Sequence, residues 1–423
     1  MRKIKVGIGF ATGRRSFQKV LKTNILNWKE CGLTQTKDIS LNLFVAYDLK
    51  YTGTTPSDYK NIHVELRDMV DGAWFIGNTK LREETSFLLR EGAINSEQAR
   101  LLFGSGYAGK RNAILYQAIK QNMDYVLFLD DDEYPMAVTN TRDVVVWSGQ
   151  HVLKTHLHHI QNADITFGYH CGYISPIPSL EFNQTLTEED FRTWIQALSN
   201  DILNWDNMRK IIRQGGVTYA DTGVLVDSAA VRVPEINHAK FIAGSNLCIN
   251  LTNPMRVQPF YNPPEARGED TFLSTCLEHR EVLRVPCYTF HDGFSAYRHL
   301  MDGVLPLRLK PICANTDQVV TRFYNACVGW VRYKPLYLFI TQREHYEENI
   351  RQMHKQIDSI LPKLCRYFGR DDFMNISKEL ERYHRNVEKH YEAFQETRRA
   401  WDGVTACLTS FETEGNGLSK AAT

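Results

Sequence analysis

The sequence lacks long hydrophobic runs, paired cysteines and a net charge of one sign. No apolar run in its 423 residues approaches the ~20 residues of a membrane span, and residues 1–10 lack the apolar stretch of a signal peptide. The net charge of +1 gives no electrostatic case for nucleic acid as a partner. The nine cysteines are scattered and include no Cys-x-x-Cys, which favours reduced thiols over disulfides or zinc. We therefore expect a cytoplasmic protein that binds no nucleic acid.

Strand and helix signals alternate over the first 135 residues. Strand-like apolar runs cover residues 4–10, 41–48 and 125–129, and helical spacing covers residues 17–28, 79–103 and 110–121. Alternation of this kind predicts a mainly parallel sheet wrapped by helices, an α/β fold.

The rest of the chain is mixed and then helical. Strand-like patterns cover residues 163–169, 217–226 and 240–250, and helical patterns cover residues 187–213 and 343–405. Apolar residues at helical spacing indicate that the C-terminal helices pack on the rest of the protein or on a second copy. The small, polar residues 412–423 predict a disordered tail.

Three consecutive aspartates follow the apolar run at residues 125–129. Asp130, Asp131 and Asp132 would lie at the C-terminal end of a buried strand, where open α/β sheets bind their ligands. Clustered carboxylates repel one another and are costly to desolvate, so a bound divalent cation explains them well. Oxygen ligands favour Mg²⁺ or Mn²⁺ over zinc. The alternative is a solvated acidic turn that only ends the strand.

A glycine-rich segment at residues 104–113 precedes this strand. Gly109, Lys110 and Arg111 open a helix, and backbone N–H groups and cations at a helix N-terminus bind anions. Phosphate and metal sites would then be neighbours, which suggests a nucleoside diphosphate, although a solvated basic loop is the simpler interpretation. A P-loop NTPase is disfavoured because Arg111 stands where that loop needs Ser or Thr, and no clear strand leads into the segment.

Gly-x-x-Gly-Lys-Arg-Asn-Ala, a helix and an apolar strand ending in Asp-Asp-Asp together resemble the donor half of GT-A fold glycosyltransferases of the family-two type. The resemblance implies a Rossmann-like, mixed and mainly parallel sheet with flanking helices. It implies that Asp132 ligates a metal that holds a nucleotide-diphosphate sugar, with Asp130 on the ribose or in the metal's shell. The donor-binding set that it implies is Ala11, Thr12, Gly13, Arg14, Asp48, Gly109, Lys110, Arg111, Asn112, Asp130, Asp131 and Gly244.

Three more motifs resemble that family and follow in its order. Gly244 matches the glycine loop beside donor sugar and acceptor, and Glu269-Asp270 matches the Glu-Asp motif of inverting members. The match implies that Asp270 is the catalytic base, with Glu269 orienting the acceptor or serving as the alternative base. His291 matches the late histidine that contacts metal or diphosphate. An ordinary helix N-terminus and a structural histidine are the simpler interpretations of these residues.

The resemblance covers roughly residues 4–300 and implies an inverting, metal-dependent hexosyltransferase with Mn²⁺ or Mg²⁺ as cofactor. The expected substrates are a UDP- or GDP-sugar and a hydroxyl of a glycan or glycolipid. A nucleotidyltransferase and a non-catalytic sugar- or nucleotide-binding protein are the alternatives. Further expected partners are the inner face of the plasma membrane, contacted peripherally, and a second copy through the C-terminal helices. The predicted organisation is a catalytic domain at 1–300 with donor half 1–135 and acceptor half 136–300, a connecting segment at 301–342, a helical region at 343–411 and the tail at 412–423.

Overall fold

The computed structural model describes residues 2–198 and 204–420, and for residues 411–420 the backbone alone. The strands are β1 (Ile4–Thr12), β2 (Ile39–Tyr47), β3 (Gly72–Ile76), β4 (Tyr125–Leu129), β5 (Glu133–Tyr134), β6 (Met136–Asn140), β7 (Val145–Gly149), β8 (Ile165–Gly172), β9 (Val231–Arg232), β10 (Leu247–Asn250) and β11 (Val282–His291). The helices are α1 (Phe17–Glu30), α2 (Ser57–Lys60), α3 (Val64–Arg67), α4 (Asn78–Arg90), α5 (Ser96–Phe103), α6 (Tyr107–Lys120), α7 (Val152–His159), α8 (Glu188–Leu198), α9 (Trp205–Arg213), α10 (Thr222–Val226), α11 (Glu269–Ser274), α12 (Asp317–Thr341), α13 (Tyr346–Phe368), α14 (Asn375–Arg385) and α15 (Val387–Lys420).

One mixed sheet forms the centre of the molecule, in the strand order β3-β2-β1-β4-β10-β8-β11-β5. Strands β1, β2, β3 and β4 are mutually parallel, whereas β10 runs antiparallel between β4 and β8. The chain proceeds outward from β1 to β3 and then returns to β4 on the other side of β1. Such a reversal leaves a crevice at the carboxyl ends of β1 and β4, which is where open α/β sheets bind ligands. The predicted α/β class with a mixed sheet and flanking helices is confirmed.

Both faces of the central strands are buried, which explains their nearly continuous apolar sequences. On β4, Leu127 and Leu129 face one core with Val6 and Ile8 of β1. Val126 and Phe128 face the opposite core. The central sheet is therefore covered on both sides.

The C-terminal helices pack against the sheet domain rather than apart from it. Trp401 of α15 is fully buried in the same core as Phe128 and the inner face of α6, and its indole N–H donates to the carbonyl of Val257 at 3.0 Å. Helices α12, α13 and α14 share a further core with α8 and with Phe272 of α11. No helix in the described part of the chain is long and apolar enough to cross a membrane.

Several elements differ from the sequence patterns. The strand predicted at residues 217–226 is wrong, because Asp221 accepts a hydrogen bond from the Gly223 amide and starts the short helix α10. Of residues 240–250, only β10 is a strand. The helix predicted at 79–103 is interrupted before Asn95, whose side chain caps α5 together with Gln98.

Two predicted segments reach the limits of the described chain. The helical stretch at 187–213 comprises α8 and α9, and residues 199–203 between them lie outside the described residues. Helix α15 continues to Lys420, over most of the segment for which a disordered tail is predicted, and residues 421–423 lie outside the description.

Candidate functional site

The ends of β1 and β4 bring Thr12 and Arg14 together with the acidic cluster. The Thr12 hydroxyl donates to Asp131 Oδ2 at 2.5 Å. Arg14 Nη1 lies 2.5 Å from Asp132 Oδ2 and 3.1 Å from Asp131 Oδ1. The predicted loop and the aspartates thus line one crevice. Ala11 is different, because it still belongs to β1 and its side chain is buried in the core.

His291 ends β11 and reaches the same cluster. Its Nε2 lies 3.4 Å from Asp132 Oδ1, while its Nδ1 lies 2.8 Å from the carbonyl oxygen of Tyr173. A carbonyl can only accept, so Nδ1 carries a proton and Nε2 faces the carboxylate. Burial lowers the pKa of His291, but Asp132 outweighs burial and raises it to about 9. Burial would raise the pKa of Asp132, but His291 and then Arg14 hold it well below its usual range.

This pair has the chemistry of part of a divalent-cation site. A histidine that donates one ring N–H to a backbone carbonyl presents its other nitrogen in the orientation that metal ligands use. Over the described residues, no group of three or more His, Cys, Asp or Glu side chains is arranged to hold a metal by itself. Mg²⁺ is commonly held by one or two protein ligands together with substrate phosphates and water. Asp132 and His291 therefore fit a cation that binds with a diphosphate, and they do not form a closed zinc site.

Arg111 connects this cluster to the predicted base. Its side chain is 4% exposed and packs against the rings of Phe128 and Phe260, with its central carbon 5.6 and 5.4 Å from their centroids. Its Nη2 donates to Asp130 Oδ1 at 3.3 Å, and its Nε lies 3.7 Å from Glu269 Oε1. Arg111, for which donor binding stays a prediction, is thus buried beside acids of both groups.

Asp270 and Gly244 lie beside the same guanidinium. A side-chain carbon on Gly244 would lie 3.2 Å from both Arg111 Nη1 and Asp270 Oδ2, so glycine leaves room for both groups. Burial raises the pKa of Asp270 to about 6, the Glu269 carboxylate adds to the increase, and Arg111 opposes it. Such a carboxyl is mostly ionised at neutral pH yet remains basic, as a general base requires.

Asp130 lies between the two groups of acids. Burial raises its pKa to about 7, Arg111 opposes the increase, and Glu133 and the two following aspartates add to it. Predicted to contact a ribose or the metal, Asp130 directs one carboxylate oxygen at Arg111. Asp130 and Asp270 thus share Arg111 as the cation that opposes the rise of their pKa values.

The residues of the glycine-rich segment make contacts within the protein that its sequence does not predict. Lys110 Nζ lies 3.2 Å from Asp48 Oδ2, so these two predicted donor contacts pair with each other at the crevice edge. Gly109 packs so closely on the carbonyl of Gly104 that no side chain fits. Asn112 is fully buried and satisfies backbone groups of Leu102 and Phe260.

Helix α5, rather than a strand, leads into this segment, unlike a P-loop. Gly13, at the opposite side of the crevice, leaves room for the Tyr51 side chain, 2.6 Å from where a side-chain carbon would lie.

A buried polar network that the sequence analysis did not anticipate supports the glycine loop. Glu133 Oε1 accepts from the Ser245 hydroxyl at 2.6 Å and lies 3.2 Å from His170 Nε2, and its Oε2 accepts from Thr289 at 3.1 Å. The position of Glu133, directly after three aspartates, was the only sequence signal. The network ties the strand that carries the acids to the loop that carries Gly244.

Two exposed tyrosines and a cavity complete the crevice. Tyr51 and Tyr107 are 56% and 42% exposed, and the pKa of Tyr107 is raised by burial, by Tyr51 and by the aspartates. A cavity of about 600 Å³ is lined by three acids and three cations, which are Asp131, Asp132, Asp292, Arg14, Arg15 and Lys19. The crevice thus presents both charges and exposed aromatic rings.

No family model matches this chain, and none of the curated proteins matches it. Among solved structures it is similar to the mannosyltransferase Ktr4p from S. cerevisiae, at 11% identity and a TM-score of 0.25 over 64% of this chain and 60% of that one. The same protein in complex with GDP matches at 12% identity and a TM-score of 0.23, over 64% and 61%. The chain thus spans about three fifths of the structures that it matches. Similarity at this level does not establish a shared fold, and the function proposed below depends on the site.

Proposed function

We propose that the protein is an inverting, metal-dependent glycosyltransferase of the GT-A type. The observation that carries the proposal is the position of Arg111. Its guanidinium contacts Asp130, the first residue of the acidic cluster, and lies beside Glu269 and Asp270. A candidate base therefore lies next to a candidate diphosphate site. Sugar transfer from a nucleoside diphosphate needs these two functions side by side.

The residues divide the reaction between them. The acceptor hydroxyl attacks the anomeric carbon, a new C–O bond forms, and the bond to the diphosphate oxygen breaks. Asp270 takes the hydroxyl proton, for which a pKa of about 6 is suitable. Asp132 and His291 would hold a divalent cation, which when bound neutralises charge on the leaving diphosphate. Arg14 holds the aspartates in place.

The GT-A assignment and the inverting outcome are supported by position. The acids follow β4 and the Thr12–Arg14 segment follows β1, at the point where the strand order reverses. The neighbouring carboxyls of Glu269 and Asp270 supply one base. One base suits a direct displacement, in which it activates the acceptor hydroxyl. The exposed tyrosines at the crevice suit stacking against a base or sugar ring. A UDP- or GDP-sugar donor, a glycan or glycolipid acceptor and a cytoplasmic, membrane-peripheral location are part of the proposal.

The alternatives differ in the chemistry that they require. A nucleotidyltransferase would need a cation placed to stabilise attack on the α-phosphate, and Lys110 is held by Asp48. A non-catalytic binding protein would have no use for a carboxyl with a raised pKa at Asp270. No specific contact in the described part of the chain favours either one.

Nucleotide release from nucleotide sugars tests the proposal. Wild type is expected to release UDP or GDP from one donor in the presence of Mn²⁺, slowly with water and faster with a suitable acceptor. Asp132→Asn should abolish release, whereas Asp270→Asn should still bind the donor. With pyrophosphate added, formation of sugar 1-phosphate and a nucleoside triphosphate instead would establish the nucleotidyltransferase, and donor binding without any turnover would establish the binding protein.

A further inference from the structure

Helix α12, in the segment predicted only to connect domains, sends one arginine to the crevice. The guanidinium of Arg322 lies over the ring of Phe294, 4.1 Å from its centroid. It also packs directly against Gly293, where an added side-chain carbon would lie 2.6 Å from the His291 ring. Arg322 is therefore a neighbour of the histidine that faces Asp132.

Arg322 has no counterion among the described residues. It forms no hydrogen bond or ion pair with any of them, whereas Arg332 on the same helix lies 2.6 Å from Glu379. Burial lowers the pKa of Arg322 most strongly, Asp132 opposes this, and the positive charge of Arg14 adds to it. A partly buried cation that is repelled by a second cation costs free energy unless an anion compensates it.

Arg267 extends this positive surface. Its side chain lies along Gly329 of α12, about 3.5 Å from where a side-chain carbon would be. Gly329 follows Arg322 by seven residues, which is about two helical turns, so both lie on one face of the helix. Like Arg14, Arg267 lowers the pKa of Arg322. Arg14 and Arg267, from two other segments, therefore both lie close enough to Arg322 for their charges to act on it.

We propose that Arg322, flanked by Arg14 and Arg267, is an oxyanion-binding subsite that α12 contributes to the crevice. The planar guanidinium suits a phosphate or carboxylate, and its stacking on Phe294 orients it before the ligand arrives. The inference rests on the proposed function for the source of the anion, which is either the diphosphate of the donor or an acidic group on the acceptor. In both cases helix α12 forms part of the site.

Calorimetric titration of the full chain with Mg²⁺ present tests the subsite, using inorganic pyrophosphate, UDP, GDP, glucose 6-phosphate and glucuronate as ligands. Arg322→Met should weaken binding of the relevant anion about ten- to hundredfold. Arg322→Lys should recover part of the affinity, because charge remains but the fork and the stacking are lost. Arg343→Met is the matched control, since Arg343 also stacks on a phenylalanine, Phe339, at 3.4 Å but is exposed and is paired with none of the cluster's acids. This control should bind like wild type.

The ligand whose affinity falls in Arg322→Met identifies the source of the anion. Weaker binding of pyrophosphate, UDP or GDP assigns the subsite to the diphosphate, and weaker binding of only the acidic sugars assigns it to the acceptor. Equal affinity of wild type and Arg322→Met for all five ligands, or no binding of any by wild type, would overturn the subsite. Arg322-dependent binding of pyrophosphate without sugar transfer would uphold the subsite and refute the transferase.

Discussion

At the scale of single residues, Arg111 organises the site. A buried guanidinium packed against two aromatic rings has few ways to move, so it keeps a fixed position among the acids around it. Its field opposes the burial that raises the pKa values of Asp130 and Asp270. The site therefore keeps two carboxyls that titrate near neutral pH.

Replacement of the proposed base tests this arrangement. Asp270→Asn should reduce the transfer rate about 10²- to 10⁴-fold, because the acceptor hydroxyl loses its proton acceptor. In wild type the rate should fall with pH below about pH 6, where Asp270 becomes protonated. Steady-state rates between pH 4.5 and 8 measure both effects. Full activity of the variant would exclude Asp270 as the base, and Glu269→Gln then becomes the informative variant.

The same carboxyl should reduce stability at neutral pH. Its folded pKa of about 6 exceeds the ordinary aspartate value of 3.8, so its favourable contribution is complete below about pH 4 and is lost as the pH rises through about 6. At pH 8, Asp270→Asn should therefore raise the free energy of unfolding by up to about 3 kcal/mol. Urea titrations at pH 4 and 8 measure the difference.

Asp164→Asn is the control of opposite sign for those titrations. Burial alone would raise the pKa of Asp164, but the bond from Arg256 and the Glu281 amide lower it. This variant should lose stability at pH 8. An Asp270→Asn protein that is less stable than wild type at pH 8 contradicts the account.

Most single-residue roles could not be predicted from the sequence. Asp132, Asp270 and His291 were identified because a distinctive pattern surrounds each of them. Arg111 belongs to a recognisable motif, but its burial against two aromatic rings depends on Phe260, which is distant in the sequence. Arg322 belongs to no sequence motif, and only the packing of α12 brings it close to His291.

At the scale of elements, sequence periodicity predicts the parallel strands and the amphipathic helices. It does not predict short or weakly patterned strands. Strand β3 has only five residues, and β11 contains Pro286 and a register shift between Arg284 and Tyr288. Helix α6 is predictable as a helix, but its packing depends on the distant segment at Phe260.

Asn112 is the link between these two elements. Its Oδ1 accepts from the Phe260 amide at 2.8 Å, and its Nδ2 donates to Leu102 and Phe260 carbonyls, both at 2.9 Å. Asn112→Ala would leave these buried groups without partners and should lower the free energy of unfolding by about 2–4 kcal/mol.

Thermal unfolding of the purified variant measures this loss. Gln121→Ala at the end of α6 is the control and should change stability by less than about 0.5 kcal/mol. Wild-type stability of Asn112→Ala would mean that this link does not hold the glycine-rich segment in place.

At the scale of the whole molecule, the C-terminal helices and the sheet share a core. The predicted boundaries at residues 300 and 343 remain predictions, yet α15 packs on α5 and α6 and buries Trp401. Sequence periodicity indicates an amphipathic helix without identifying its packing partner, so this arrangement could not be predicted.

Trp401→Ala should therefore destabilise the sheet domain as well as α15. Removal of a fully buried indole is expected to cost about 3–5 kcal/mol. Met374→Ala, at a side chain that is 44% exposed, should change stability little. If Trp401→Ala lost α15 helicity but kept the melting temperature of the remainder, the helical region would be an independent unit.

A thermal-shift comparison of UDP-, GDP-, CMP- and dTDP-sugars, each with and without Mn²⁺, tests the central claim most directly. Ligand at a hundredfold excess over Kd stabilises a protein by about 2.7 kcal/mol. The account predicts a shift with one nucleotide sugar that requires Mn²⁺ and disappears in Asp132→Asn. An equal shift without metal, a shift retained in Asp132→Asn, or no shift with any nucleotide sugar would contradict it.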